Sequence, residues 1–255
     1  MKVLSLIIYA LTPILLIALF IYHKDKNKEP NSIIIKLLFG GILSTFITVF
    51  ITIILGQIFD IFIEDFNNLK GLKLIIHAFI CIALIEETSK YLMLNKISKN
   101  KECDEDFDMI LYGSFIGLGF AAFENILYVV EYDTKVAIIR AFTAVPMHTI
   151  LGIIMGYYLL KYKNTSNNKY KYLSIIIPVL IHGVYDYLIM TKIEINVILA
   201  IILLIIVFVY GIVIINKISK KSIKNNNNIY NEAYCPICGT KYELNFCINC
   251  GRERR

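Results

Sequence analysis

Apolar residues along this chain fall into long blocks separated by short polar segments rich in Lys and Asn. Runs of roughly 18 or more apolar residues read as membrane spans. Seven can be drawn, at 3–22, 32–59, 72–95, 109–130, 136–160, 172–190 and 195–216. Their ends are set to within about four residues. The second is long enough to tilt, or to break near Gly40–Gly41. The first has only Lys2 ahead of it and no small-x-small cleavage site before "HKDKNKEP", so it reads as a retained span rather than a signal peptide. After the last span, residues 217–231 read as a polar, flexible linker leading to a second small unit, 232–255.

Composition agrees: 57% of the 255 residues are hydrophobic and the mean hydropathy is +0.65, too apolar for a soluble domain of this length. The net charge of +6 does not point to nucleic acid, because the basic residues cluster at the ends of apolar blocks, where they act as topology signals. Segments 23–31, 96–108, 161–171 and 217–224 hold fourteen lysines, against four (Lys2, Lys70, Lys135 and Lys192) in the intervening ones. That alternation places the N-terminus outside and the C-terminus in the cytoplasm. The expected fold is an all-α polytopic membrane protein of about seven helices (residues 1–216), with lipid as its surroundings and no nucleic-acid partner.

The terminal unit, "YCPICGTKYELNFCINCGRERR", carries Cys235, Cys238, Cys247 and Cys250 in a C-x2-C-x8-C-x2-C pattern. Two such turns present four thiolates and close a tetrahedral site for one structural zinc. Iron or redox-active thiols are the alternatives. So short a segment takes its folding energy from the metal, and a reducing cytoplasm disfavours disulfides. The arrangement resembles the zinc ribbons appended to many bacterial membrane proteins. Cys81 and Cys103 read as packing residues.

The chemistry sits inside the apolar blocks. Each mid-bilayer charge costs roughly 2.5–3.5 kcal/mol on insertion scales, so such residues usually face a polar interior. Span three carries Glu86, Glu87 and Lys90; span four Glu124 and Asn125; span five Arg140 and His148; span six His182 and Asp186. Four consecutive helices therefore line one polar chamber, and the other three serve as scaffold. Lys90 lies within reach of either glutamate. The two glutamates point about 100° apart, so one faces the chamber while the other pairs with Lys90 or a neighbouring helix. His182 and Asp186, four apart, share a face. Arg140, near the outer interface, could instead snorkel. Three chemistries fit: hydrolysis by a carboxylate base with histidines polarising a carbonyl, a His/Glu metal site, or ion translocation. A non-catalytic sensor is a further alternative.

Read in order, "EETSK" (86–90), "FAAFEN" (120–125), "RAFTAVPMH" (140–148) and "HGVYD" (182–186) resemble the PrsW family of bacterial intramembrane proteases. That family is related to the type II CAAX prenyl endopeptidases. The resemblance covers about residues 70–190 and implies a glutamate-dependent endopeptidase of the bacterial cell membrane. It implies Glu86 as base toward water, Glu87 as its assistant, and His148 as a further polar or ligand group. His182 would help form the oxyanion hole and Asp186 would orient it. Glu124 stands where CAAX-type enzymes generally have a histidine. Lys90, Asn125 and Arg140 would support the site, and the carboxylate-rich set admits a metal there. The implied substrate is a single-pass membrane protein such as an anti-sigma factor, cut on its extracytoplasmic side.

Overall fold

Lipid offers no water to backbone N–H and C=O groups, so spanning segments satisfy them internally as helices. A computed structural model of the chain describes residues 2–62, 65–131, 134–233, 235, 237–240 and 249–250, all-helical as expected, with no strand among them. The elements are α1 (Lys2–Lys24), α2 (Asn31–Gly56), two short 3-10 turns (Asp60–Phe62 and Phe66–Asn68), α3 (Leu72–Ile76), a π-helical segment (His77–Leu84), α4 (Ile85–Ile97), α5 (Asp106–Glu131), α6 (Thr134–Phe142), α7 (Ala144–Thr165), α8 (Asn168–Met190) and α9 (Glu194–Ala233). Five stretches are long and apolar enough to cross a membrane: 31–56, 106–128, 138–165, 168–190 and 194–221. The other two expected spans correspond to α1 and to the composite rod of α3, π segment and α4.

α5 forms the centre. Of its apolar window 72% is buried, against 22% for α8. It packs mainly against α7 and α2, with Leu37, Leu94, Phe107, Ile110, Leu111, Ile116 and Ile154 in the shared core. Leu16, Phe39, Phe50, Ile205 and Ile206 are exposed on α1, α2 and α9, where an apolar surface suits lipid. Close approach of α5 to its neighbours depends on missing side chains. A Cβ at Gly41 would lie 2.8 Å from the Gly119 Cα, and one at Gly117 would lie 3.0 Å from the His148 carbonyl carbon. Gly41 therefore serves packing, and α2 runs unbroken through it.

Three other departures from simple spans have local causes. Span five divides at Thr143 (φ −119°, ψ −63°), between α6 and α7. Pro146 lies in the first turn of α7, where its missing N–H is one of the unpaired donors anyway. Span three widens into eight π-helical residues just before Glu86, a feature common at functional sites. α9 continues through the expected linker to Ala233, since no Gly or Pro interrupts it after Gly211.

At the expected cytoplasmic end, Asp25 and Glu29 are buried in the α1–α2 connection, and the Glu29 N–H donates to Asp25 Oδ2 at 3.3 Å. Burial, reinforced by the neighbouring Asp25, pushes the Glu29 carboxyl up to about 7 from its ordinary 4.5. An acid raised in the folded state favours folding when protonated. Its contribution is complete below about pH 4.5 and is lost as pH rises through about 7. Glu29→Gln is therefore expected to be more stable than the parent above neutrality and to flatten the decline, as read by thermal unfolding in detergent across this range. Gly117→Val is expected to push α7 away from α5 and displace His148 while the chain still inserts; a lowered unfolding temperature of the membrane-inserted variant in detergent checks it.

Candidate active site

The π segment delivers Glu86 and Glu87 in the first turn of α4, with Lys90 one turn later. Gly183 lets α8 press onto this segment, since a Cβ there would lie 2.7 Å from the Phe79 ring. That contact sets His182 beside Glu87. α5 supplies Glu124 and Asn125, α6 Arg140, and α7 His148.

The structure joins Glu86, Glu87, Lys90, Glu124, Arg140, His148, His182 and Asp186 in one connected network. Lys90 Nζ donates to Glu87 Oε1 at 2.7 Å and to His148 Nδ1 at 2.8 Å, and stands 3.6 Å from Glu86 Oε2. An ammonium has no lone pair, so His148 Nδ1 accepts and its Nε2–H donates to Glu124 Oε2 at 2.8 Å. Arg140 Nη2 pairs with Glu124 Oε1 at 2.8 Å, which turns this arginine inward rather than toward the interface. His182 Nδ1 donates to Glu87 Oε1 at 2.8 Å, and its Nε2 faces Asp186 Oδ2 at 3.2 Å and Glu86 Oε2 at 3.9 Å. The two imidazoles meet edge to face at 5.2 Å. Asn125 is buried beside Glu124 in the chain.

Both glutamates converge on Lys90 and His182, whereas their angular separation predicts that only one faces the chamber, and they differ in how tightly they are held. Glu87 is wholly buried and held by Lys90 and His182, while Glu86 is 8% exposed. One oxygen of each, Glu86 Oε2 and Glu87 Oε2, is buried with no hydrogen-bond partner. Two aromatic residues went unnoticed in the motifs. Phe120 lies 3.9 Å from the Lys90 ammonium, and Tyr128 stacks 3.6 Å from the Arg140 guanidinium. Each is four residues from Glu124 in α5, so helical spacing around that glutamate was the available signal. His77 lies apart, its ring donating to the Ile61 carbonyl at 2.7 Å, and His23 donates to Leu19 O at the end of α1.

Two donor sets suit a metal. In the membrane, Glu86, Glu87, His148 and His182 offer ligand atoms all within 4.8 Å of one another. Two carboxylates and two imidazoles, with orphaned carboxylate oxygens among them, fit a zinc-like ion. Near the C-terminus, Cys235, Cys238 and Cys250 form a second set. Cys235 Sγ lies 3.4 Å and Cys238 Sγ 3.7 Å from Cys250 Sγ, near the roughly 3.8 Å edge of a tetrahedron with Zn–S of about 2.3 Å. Gly239 (φ +68°) makes the turn between them. Cys247 lies outside the described residues. Cys81 and Cys103 are buried packing residues.

Residues 29–214 match the family model described as PrsW family intramembrane metalloprotease. A protein named Protease PrsW from Oceanobacillus iheyensis is 37% identical over 72% of this chain and 83% of its own length. One from Clostridioides difficile is 33% identical over 80% and 87%, and one from Bacillus subtilis 30% over 66% and 75%. No solved structure matches significantly.

The Arg140–Glu124 pair generates a stability test. The pair is partly buried, with side chains 18% and 16% exposed, and Glu124 keeps its bond from His148, so removing Arg140 leaves a partly compensated carboxylate at a cost of about 1–3 kcal/mol. Arg140→Met is expected to lose that much in thermal or denaturant unfolding, and Arg140→Met with Glu124→Gln to recover most of it.

Proposed function

This chain belongs to the PrsW family of intramembrane metalloproteases, and from that membership we propose that it hydrolyses its substrate with water activated by Glu86. The protein is an intramembrane protease of the bacterial membrane, acting on membrane proteins within the bilayer. The observation that carries the assignment of the base is the asymmetry of the glutamates. Glu87 Oε1 is already bound by Lys90 and His182, whereas Glu86 is the less buried of the two and meets Lys90 and His182 only at 3.6 and 3.9 Å.

In this reading Glu86 takes the proton as water adds to the scissile carbonyl and returns it to the departing amine. His182, oriented by Glu87 and Asp186, directs its Nε2–H toward the side on which Glu86 works and receives the developing oxyanion. Lys90 holds Glu87 ionised and in place, and Glu124, anchored by Arg140, fixes the His148 ring. Glu86, Glu87, His148 and His182 would hold the family's metal, His182 then giving the ion its Nε2 lone pair in place of an N–H to the oxyanion. When bound, the metal would polarise the carbonyl and make the attacking water more acidic. The substrate class we infer is a single-pass anti-sigma factor, cut first on its extracytoplasmic side; its support is the family resemblance. Cys235, Cys238, Cys247 and Cys250 are assigned to one structural zinc, supported by the sulfur spacing of the three described thiols. This segment lies beyond the family match.

Purified protein in liposomes with a candidate anti-sigma factor tests the reading. Glu86→Gln and His182→Ala, at unchanged expression, are expected to slow cleavage by about 10²–10⁴-fold. Undiminished cleavage by Glu86→Gln overturns it. Cys235→Ser with Cys238→Ser is expected to lose one bound zinc per chain by metal analysis. Chelator inhibition that persists in that variant places the metal requirement in the membrane.

A further inference from the structure

The four candidate metal ligands in the membrane already surround a cation. Lys90 Nζ lies 2.7 Å from Glu87 Oε1, 2.8 Å from His148 Nδ1 and 3.6 Å from Glu86 Oε2, so it addresses three of the four. Its side chain is 1% exposed, and the Phe120 face closes over it at 3.9 Å. The lone pairs decide what else can bind. An imidazole nitrogen offers one lone pair to a hydrogen bond or to a metal, never to both. His148 Nδ1 spends its own on Lys90, and His148 Nε2 carries the proton donated to Glu124. Both ring nitrogens of His182 face carboxylates, Glu87 and Asp186. In this arrangement it is carboxylate oxygens, the orphaned Glu86 Oε2 and Glu87 Oε2 among them, that remain for an incoming ion.

We propose that Lys90 is the resident counter-cation of the active site and competes directly with a divalent metal for His148 Nδ1 and Glu87. The inference rests on the reading that a metal loads between Glu86, Glu87, His148 and His182. Metal entry then requires the Lys90 ammonium to withdraw from His148, which exposes the Nδ1 lone pair and removes a positive charge from the centre of the ligand set. Lys90 is in this sense a positioning residue with two functions. It holds the carboxylates and His148 in register while the metal is absent, and it sets a threshold for metal loading.

Cobalt(II) titration of the full chain in detergent tests the competition. Thiolate-bound cobalt shows strong near-ultraviolet charge-transfer bands as well as visible d–d bands, so the titration is made in the Cys235→Ser, Cys238→Ser background, where d–d bands without charge transfer report the membrane site. Lys90→Met, which keeps the stem and removes the charge, is expected to bind cobalt at the d–d site at least tenfold more tightly than the parent. Lys90→Arg is expected to stay as weak as the parent, and adding His148→Ala to Lys90→Met to abolish the gain. Should Lys90→Met fail to fold, Lys90→Gln, neutral but still able to donate to Glu87, serves in its place with the same expectation. Equal cobalt affinity in parent and neutral variants overturns the competition while leaving the metal reading intact. Absence of the d–d signal in all of them, with cleavage still lost in Glu86→Gln, overturns both and leaves the glutamate base standing.

Discussion

Lys90 carries an ammonium into the interior of a helix bundle surrounded by lipid, and the arrangement of the chamber follows from the need to answer that charge. In a low-dielectric interior an isolated ion costs several kcal/mol even after relaxation, and attraction repays this only with good geometry and satisfied hydrogen bonds. Lys90 meets the condition through Glu87, His148 and the face of Phe120. Each of those partners is then committed. Glu87 orients His182, and His148 must turn its remaining N–H to Glu124, which in turn requires Arg140. The chain of obligations reaches across α4, α7, α5, α6 and α8. Glu86 is held more loosely, at 3.6 Å from Lys90 and 3.9 Å from His182, which suits the role proposed for it.

Such a network tolerates little slack, and the backbone supplies the precision. Gly117 brings α7 close enough to α5 for the His148 ring to reach both Lys90 and Glu124, and Gly183 admits the Phe79 ring so that α8 seats against the π segment. The widened turns of that segment alter the rotation at which α4 presents Glu86 and Glu87, compared with an uninterrupted α-helix. Thr143 separates α6 from α7, and Arg140 and His148 reach the two oxygens of Glu124 from these two helices.

Much of this was legible in the sequence. Spans appear wherever apolar length exceeds bilayer thickness, and ionisable residues inside them stand out because lipid makes them costly; Glu86, Glu87, Lys90, Glu124, Arg140, His148, His182 and Asp186 were all visible on that ground. The helical spacing of Glu86, Glu87 and Lys90 also implied that the glutamates differ in role. Which glutamate Lys90 prefers was not legible, because it depends on where α7 and α8 place His148 and His182. The π segment leaves no compositional mark in "HAFICIAL", since tertiary packing selects it over an α-helix of equally apolar residues. The inward turn of Arg140 was hidden too, as a guanidinium near a span end can pair inward or reach the interface with the same local sequence. The helix beyond residue 216 was missed because polarity was read as flexibility, although Lys and Asn without Gly or Pro extend a helix already begun.

The depth of the network constrains the substrate. His182 precedes Thr191 by nine residues and Glu124 precedes Glu131 by seven, about 13 Å and 10 Å of helix at 1.5 Å per residue. Those ends face outward on the lysine-derived orientation, and the hydrocarbon core is about 30 Å thick. On that orientation the chamber would lie nearer the outer side of the midplane. A peptide bond within a substrate helix has its carbonyl hydrogen-bonded along the helix and screened by side chains, so it presents no face to Glu86 until that helix opens. Opening is least costly at a helix end, where the last carbonyls lack intrahelical partners and water is near. A bond close to the end of a substrate's span satisfies both demands.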